Sequence, residues 1–370
     1  MPEENQCVDD KFYTGVQEAP KNPEDYVYDD YVVMAGELDI DWKKGYDVRR
    51  DDLQGHIEYK EQDKSLSCVG QGWSFYIWVY QVLEMMKKYG MTLEELRIHH
   101  PKEVEEISAK AIYSQIFLDG GGAYVYAGGK LVINWGAVFD RLVPSRKPDG
   151  SVDETFMRDK SWLTEEITKI AELLKGKEYR IIRAKANMNL YAQAIIQNKG
   201  VVGAIRGQNG RGWGDNERPM PPRSLAQAEW SHLLYFGAFG EDSKGKFIAT
   251  PNSWGRMTFN KSYRWKPGDP VGAGWQKLYE DYFTNDFQFD PWTYTDILNP
   301  NQDDMANPFV RVVKDAKSPA VGFFLPAHSP ETIRNMARLY GKEVPLKEDG
   351  SLDWDKFIEG SVNFEEPLIS

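Results

Sequence analysis

Apolar side chains recur at steps of three and four between Ser67 and Tyr89: Phe75, Trp78, Val79, Val82 and Met86 share one face, and Gly90 follows. This spacing predicts a helix over 67–89, stopped by the glycine. Further helices are expected over Pro101–Ser114, between the Asp119-Gly120-Gly121-Gly122 cluster and Gly136, over Trp162–Lys175 and over Asn189–Asn198. Runs rich in β-branched and aromatic residues predict strands at Tyr179–Ala184, Val201–Ile205, His232–Phe239, Lys246–Thr250 and Trp275–Phe283. Glycines and prolines mark loops at 144–160 and 207–223. Helices dominate the first half and strands the second, an α+β pattern with a segregated antiparallel sheet.

The two ends differ from the middle. Residues 1–36 carry nine acidic and two basic side chains and read as an arm, mostly irregular, with one strand near Tyr31–Met34. A central domain is expected over 37–298, with a helical lobe at about 60–145 and a sheet lobe at about 146–298. Asn299-Pro300-Asn301 is a hinge to a polar extension, 299–370, with a helix near Pro330–Tyr340 and room to contact other protein subunits.

Composition narrows the chemistry. The 370 residues carry a formal charge of −12, which argues against nucleic-acid partners and anionic membrane surfaces. No apolar run approaches the ~18 residues of a membrane span. The first ten residues are acidic and lack a basic-then-apolar leader, so a cytoplasmic or virion-associated protein is expected. Two cysteines, Cys7 and Cys68, exclude a disulfide framework and a four-cysteine zinc site. Five histidines are scattered without an HExxH pair, and no phosphate-binding glycine loop occurs. No metal or cofactor is expected. The arginines of the 206–223 stretch, Arg206, Arg211, Arg218 and Arg223, read as a solvated loop.

One constellation carries chemistry. A lone cysteine in an apolar setting is ordinarily a small buried hydrophobe. Cys68, however, stands where the strongest helix begins, and a thiol there feels the positive end of the helix dipole and free N–H groups, which favour thiolate. A thiolate nucleophile needs an imidazole to move protons and a group to orient it. His232 opens an apolar strand, and Asn252 ends the next strand-like run, so neighbouring antiparallel strands can set them side by side. Gln62, six residues before Cys68, can donate with the Cys68 N–H to an oxyanion.

At these residues the sequence resembles the papain/cathepsin family of cysteine peptidases, in a divergent bacterial or phage-type form. Asp41-Trp42-Lys43-Lys44-Gly45 resembles the start of the mature domain, and Gln62 to Cys68 keeps the family's spacing. Gly121-Gly122 is similar to its substrate-holding glycine pair, and Lys199-Gly200-Val201-Val202 to its strand start. Ser231-His232, Gly240-Glu241-Asp242 and Asn252-Ser253-Trp254-Gly255 resemble its His and Asn motifs, in the family's order. The departures are Ser65 where the family has a disulfide cysteine, Val69 where it has an aromatic, and a Cys68–His232 separation beyond the usual ~130–150 residues.

The resemblance implies a two-lobed papain-like α+β fold, helical lobe plus antiparallel sheet or barrel lobe, with the cleft between them. It implies a polypeptide substrate cleaved by Cys68, His232 and Asn252, with Gln62 in the oxyanion hole and Trp254 covering the His–Asn hydrogen bond. Gly121 and Gly122 would hold the substrate backbone. Ala123, Tyr124, Trp230 and Leu233 would line an apolar pocket, made shallow by Trp230. An arm of 36 residues is expected to be too short to inhibit in the family's manner. Two rivals remain: a peptidoglycan-directed amidase or endopeptidase, and a non-catalytic virion or scaffold protein.

Overall fold

The computed structural model describes residues 15–20, 22, 25–57, 60–213, 218–254 and 275–298. By packing, residues 15–30 and 37–298 belong to one compact unit, which holds everything that follows. Residues 31–36 group apart from it and are described only as the later part of helix α1, Tyr28–Ala35. The strand expected at Tyr31–Met34 is therefore helical. The extension 299–370, its expected helix near Pro330–Tyr340 included, lies outside the described residues, as do Cys7 and Gly255.

Helix α2, Cys68–Tyr89, is the axis of the helical part. It is apolar on nearly all sides and correspondingly buried, the signature of a helix inside a core rather than on its surface. Its aromatic tips still need partners. Trp73 Nε1 donates to the Val125 carbonyl at 2.7 Å, Trp78 Nε1 to Val104 at 2.9 Å, and the Tyr76 hydroxyl to Asn198 and Gly200 at 2.6 Å each. Gly90 closes the helix with φ 63°, a left-handed cap that suits glycine. Around it stand α3 (Leu93–His99), α4 (Ala109–Ile116) and α5 (Val125–Asn134).

The expected helix over Pro101–Ser114 is broken: Pro101–Glu103 is a 3-10 turn, and α4 starts afresh at the Ser108 cap, whose side chain accepts from Ala111 N. The 144–160 loop contains a short helix, α6 (Glu154–Arg158), capped by Asp153. Helices α7 (Glu165–Ala171) and α8 (Met188–Asn198) follow.

The strands make two four-stranded sheets and no closed barrel among the described residues. One sheet has the order β4 (Lys175–Ile181), β10 (Gln288–Leu298), β5 (Val201–Gly207), β6 (Trp230–Phe236). The other has the order β2 (Tyr46–Asp47), β7 (Ala238–Asp242), β8 (Gly245–Pro251), β9 (Trp275–Tyr279). The single strand expected over His232–Phe239 is divided at Gly237, and its two parts join different sheets. A further small pair is parallel: β1 (Val16–Gln17), from the arm, lies beside β3 (Ala123–Tyr124). No described helix is long and apolar enough to cross a membrane.

Candidate active site

Cys68 is the first residue of α2 and is wholly buried. Backbone N–H groups of Leu233, Gly15, Val69 and Cys68 itself face the sulfur, which sets the thiol beside β6 one residue from His232. Gly72, one turn into α2, allows this approach: a Cβ there would collide with the Leu233 side chain.

His232 is also fully buried. Its Nε2 and Asn252 Oδ1 are 3.0 Å apart. Trp254 stacks on the imidazole, ring centroids 4.2 Å apart and planes 23° from parallel. Nδ1 has no hydrogen-bond partner among the described residues. His232 and Asn252 do not meet along one sheet: β6 and β8 belong to different sheets that pack together, and Asn252 follows the last residue of β8.

Gln62 is buried and held on both sides of its amide. Nε2 donates to the Ser65 carbonyl at 3.1 Å, and Oε1 accepts from the Ser253 hydroxyl at 2.7 Å. Ser65, standing where the family has a disulfide cysteine, braces the turn with hydrogen bonds instead: its hydroxyl lies 2.7 Å from both the Gln62 carbonyl and Ser67 Oγ.

Gly121 and Gly122 have φ of 91° and 72°, a left-handed conformation that side chains disfavour. The arm runs directly over them. Ala123 N donates to the Gly15 carbonyl at 2.6 Å, and the Ser231 hydroxyl donates to the Val16 carbonyl at 2.9 Å. A Cβ on Gly122 would collide with the Gly15 carbonyl. Val16 is buried within the main apolar core, and Arg206 pairs with Glu18 at 2.8 Å. The arm therefore packs against Cys68, between β3 and β6.

The structure reverses the expectation of a thiol with depressed pKa. Burial dominates over the four N–H groups and pushes the Cys68 thiol up to about 11. Burial likewise pushes His232 down to about 3, against the small opposing effect of Asn252. Both shifts favour the neutral thiol and the neutral imidazole.

Trp230 is not brought to the same pocket as Leu233. Side chains alternate along β6, and Trp230 shares the His232 face. Its ring makes edge contacts with Trp213 and Trp254, at 5.2 and 5.3 Å between centroids, and its Nε1 donates to Asn209 Oδ1 at 3.1 Å. Ala123, Tyr124 and Leu233 lie around the arm strand, with Ala123 and Tyr124 paired to Val16 and Gln17.

Three contributors were not foreseen. Gln276, on β9, accepts from Asn252 Nδ2 at 3.0 Å and donates to the Trp213 carbonyl at 3.1 Å. Trp213, in the loop expected to be solvated, is buried, and its Nε1 donates to Tyr282 Oη at 2.8 Å. Glu154 accepts from Leu66 N and from the Tyr113 hydroxyl, each at 2.6 Å, and that hydroxyl in turn accepts from Gly122 N. It links the loop before the thiol to the glycine pair. The tryptophan in a Gly-rich loop was a signal for burial; nothing in the sequence marked Gln276. The loop arginines are engaged locally: Arg211 Nε donates to the Pro221 carbonyl, and Arg218 lies over the Tyr279 ring.

No family model and no curated protein matches the sequence. Solved structures do. Xylellain, a cysteine protease from Xylella fastidiosa, superposes with a TM-score of 0.53 at 16% identity, over 77% of this chain and 97% of that one. The cysteine protease and lectin-like domains of Cwp84, a surface-layer-associated protein of Clostridium difficile, give 0.50 at 12% identity, over 79% of this chain and 57% of that one. At such identities the likeness is one of architecture, and by architecture this chain has the papain-like fold.

Proposed function

We propose that the chain is a cysteine peptidase whose cleft is closed by its own N-terminal arm. The observation that carries the reading is the imidazole of His232. Asn252 engages one nitrogen, Trp254 stacks on the ring, and the other nitrogen is left without a partner among the described residues, while the following residue, Leu233, turns its N–H to Cys68. A core histidine normally satisfies both nitrogens.

Departure of the arm readmits water and a substrate backbone along Gly122–Tyr124. Solvation then allows the Sγ proton to pass to His232 Nδ1, giving thiolate and imidazolium. Sγ forms a bond to the peptide carbonyl carbon, and the oxyanion is met by the Cys68 N–H and Gln62 Nε2. Nδ1–H protonates the leaving amine as the C–N bond breaks. His232 next takes a proton from water, whose oxygen attacks the thioester carbonyl, and the thiolate leaves. Asn252 holds the ring throughout. The buried apolar setting of Val16 favours a branched aliphatic side chain at the equivalent substrate position.

The test is cleavage of unfolded casein and, separately, of peptidoglycan fragments, by the chain lacking residues 1–20. Casein cleavage that Cys68→Ala abolishes is expected. Cleavage of the cell-wall fragments alone would favour the amidase reading, and no cleavage of either would favour a non-catalytic protein.

A further inference from the structure

Asn252 orients His232 only if its amide presents oxygen, not nitrogen, to the ring. An amide is nearly symmetric in shape, so a neighbour must decide which end faces where. Packing between Trp254 and the sheet does not distinguish oxygen from nitrogen. The decision is made through Gln276. The Trp213 backbone carbonyl can only accept, so the Gln276 Nε2 faces it, at 3.1 Å. Gln276 Oε1 consequently faces Asn252 and accepts from Nδ2, at 3.0 Å. That leaves Asn252 Oδ1 toward His232 Nε2, also at 3.0 Å, where it can accept only from an N–H. The imidazole proton is thereby fixed on Nε2, and Nδ1 keeps its lone pair.

We propose that Gln276 is a positioning residue: held by the Trp213 carbonyl, it fixes the Asn252 amide and through it the His232 tautomer that can accept a proton from Cys68. The proposal rests on reading Cys68 and His232 as a working pair. Its members are all buried, Gln276 at 1% exposure, Asn252 and His232 at 0% and Trp213 at 1%, so water does not offer substitute hydrogen bonds readily. It also gives the 207–213 loop a part in the site, because the carbonyl on which the relay ends belongs to that loop.

The test reads the tautomer directly in the full chain with ¹⁵N-labelled histidine, the His232 signals being assigned by their loss in His232→Gln. At pH 7 the buried ring is neutral, so its long-range nitrogen–proton correlations distinguish the protonated nitrogen from the bare one. The wild-type chain should show Nε2–H alone. Gln276→Met, similar in size but unable to hydrogen-bond as an amide, should give a mixture of Nε2–H and Nδ1–H, as should Asn252→Ala. Gln276→Glu, buried and therefore protonated, keeps both an acceptor for Asn252 Nδ2 and an O–H donor for the Trp213 carbonyl and should restore Nε2–H alone; should Gln276→Met fail to fold, Gln276→Leu takes its place with the same expected mixture. Nε2–H alone in a folded Gln276→Met, Nδ1–H in the wild type, or a mixture in Gln276→Glu would overturn the proposal. The readout does not depend on peptide cleavage, so an inactive wild-type chain would count against the peptidase reading and not against the relay.

Discussion

A methyl group on Gly15 would fall inside contact distance of the Leu66 carbonyl and side chain, two residues ahead of Cys68. Because Leu66 N is fixed to Glu154, the arm, not the loop, is the part free to yield. Gly15→Ala should therefore lift the arm and raise the alkylation rate of Cys68 at pH 7 by tenfold or more, measured in a Cys7→Ser background; an unchanged rate would show that the arm does not guard the thiol. His232 makes a second test, on stability. Its folded pKa, about 3, is below its unfolded value of about 6.5, so the unfolded chain takes up this proton first. The stability linked to it is complete above pH 6.5 and is lost as pH falls toward 3, by about 2 kcal/mol between pH 6.5 and 5. Denaturant titrations at those two pH values should show this loss in the wild type and a smaller one in His232→Gln. Equal losses would mean that His232 is not held neutral.

At the scale of elements, what was legible in the sequence depended on how local its cause was. Helix α2 and its glycine stop follow from spacing alone, and its first residue is the cysteine that the helix terminus picks out. Tyr31–Met34 has the β-branched character of a strand yet lies in α1, where surroundings override a weak local preference. Pro101–Ser114 has helical composition, but Ser108 caps a new helix inside it. The meeting of His232 with Asn252 was expected along one sheet and occurs between two, because Gly237 divides the run that leads from β6 to β7. Gln276 was illegible, since a glutamine on a short strand gains meaning only from what folding sets against it. Trp230 shows the same limit. It braces Trp254 over the imidazole instead of forming a pocket floor, so Trp230→Ala should reduce kcat by several-fold to tenfold and leave side-chain preference unchanged. A broadened substrate profile in a peptide library would return Trp230 to the pocket.

On the scale of the molecule, an acidic arm ahead of the core ends up across the glycine pair, hydrogen-bonded to β3 in strand fashion. Burial raises the Cys68 thiol and lowers His232, and both effects favour the neutral forms. Under the proposed function, release of the arm and activation are a single step. The measurement that tests this most directly is the rate of Cys68 alkylation by iodoacetamide as a function of pH, in Cys7→Ser chains with and without residues 1–20. With the arm, the rate at pH 7 should be slow and should rise only as pH climbs toward 11. Without it, the rate at pH 6 should be about a hundredfold higher, and His232→Gln should abolish the gain. Equal rates in the two chains, or a gain that survives His232→Gln, would contradict the picture of an arm-closed Cys68–His232 pair.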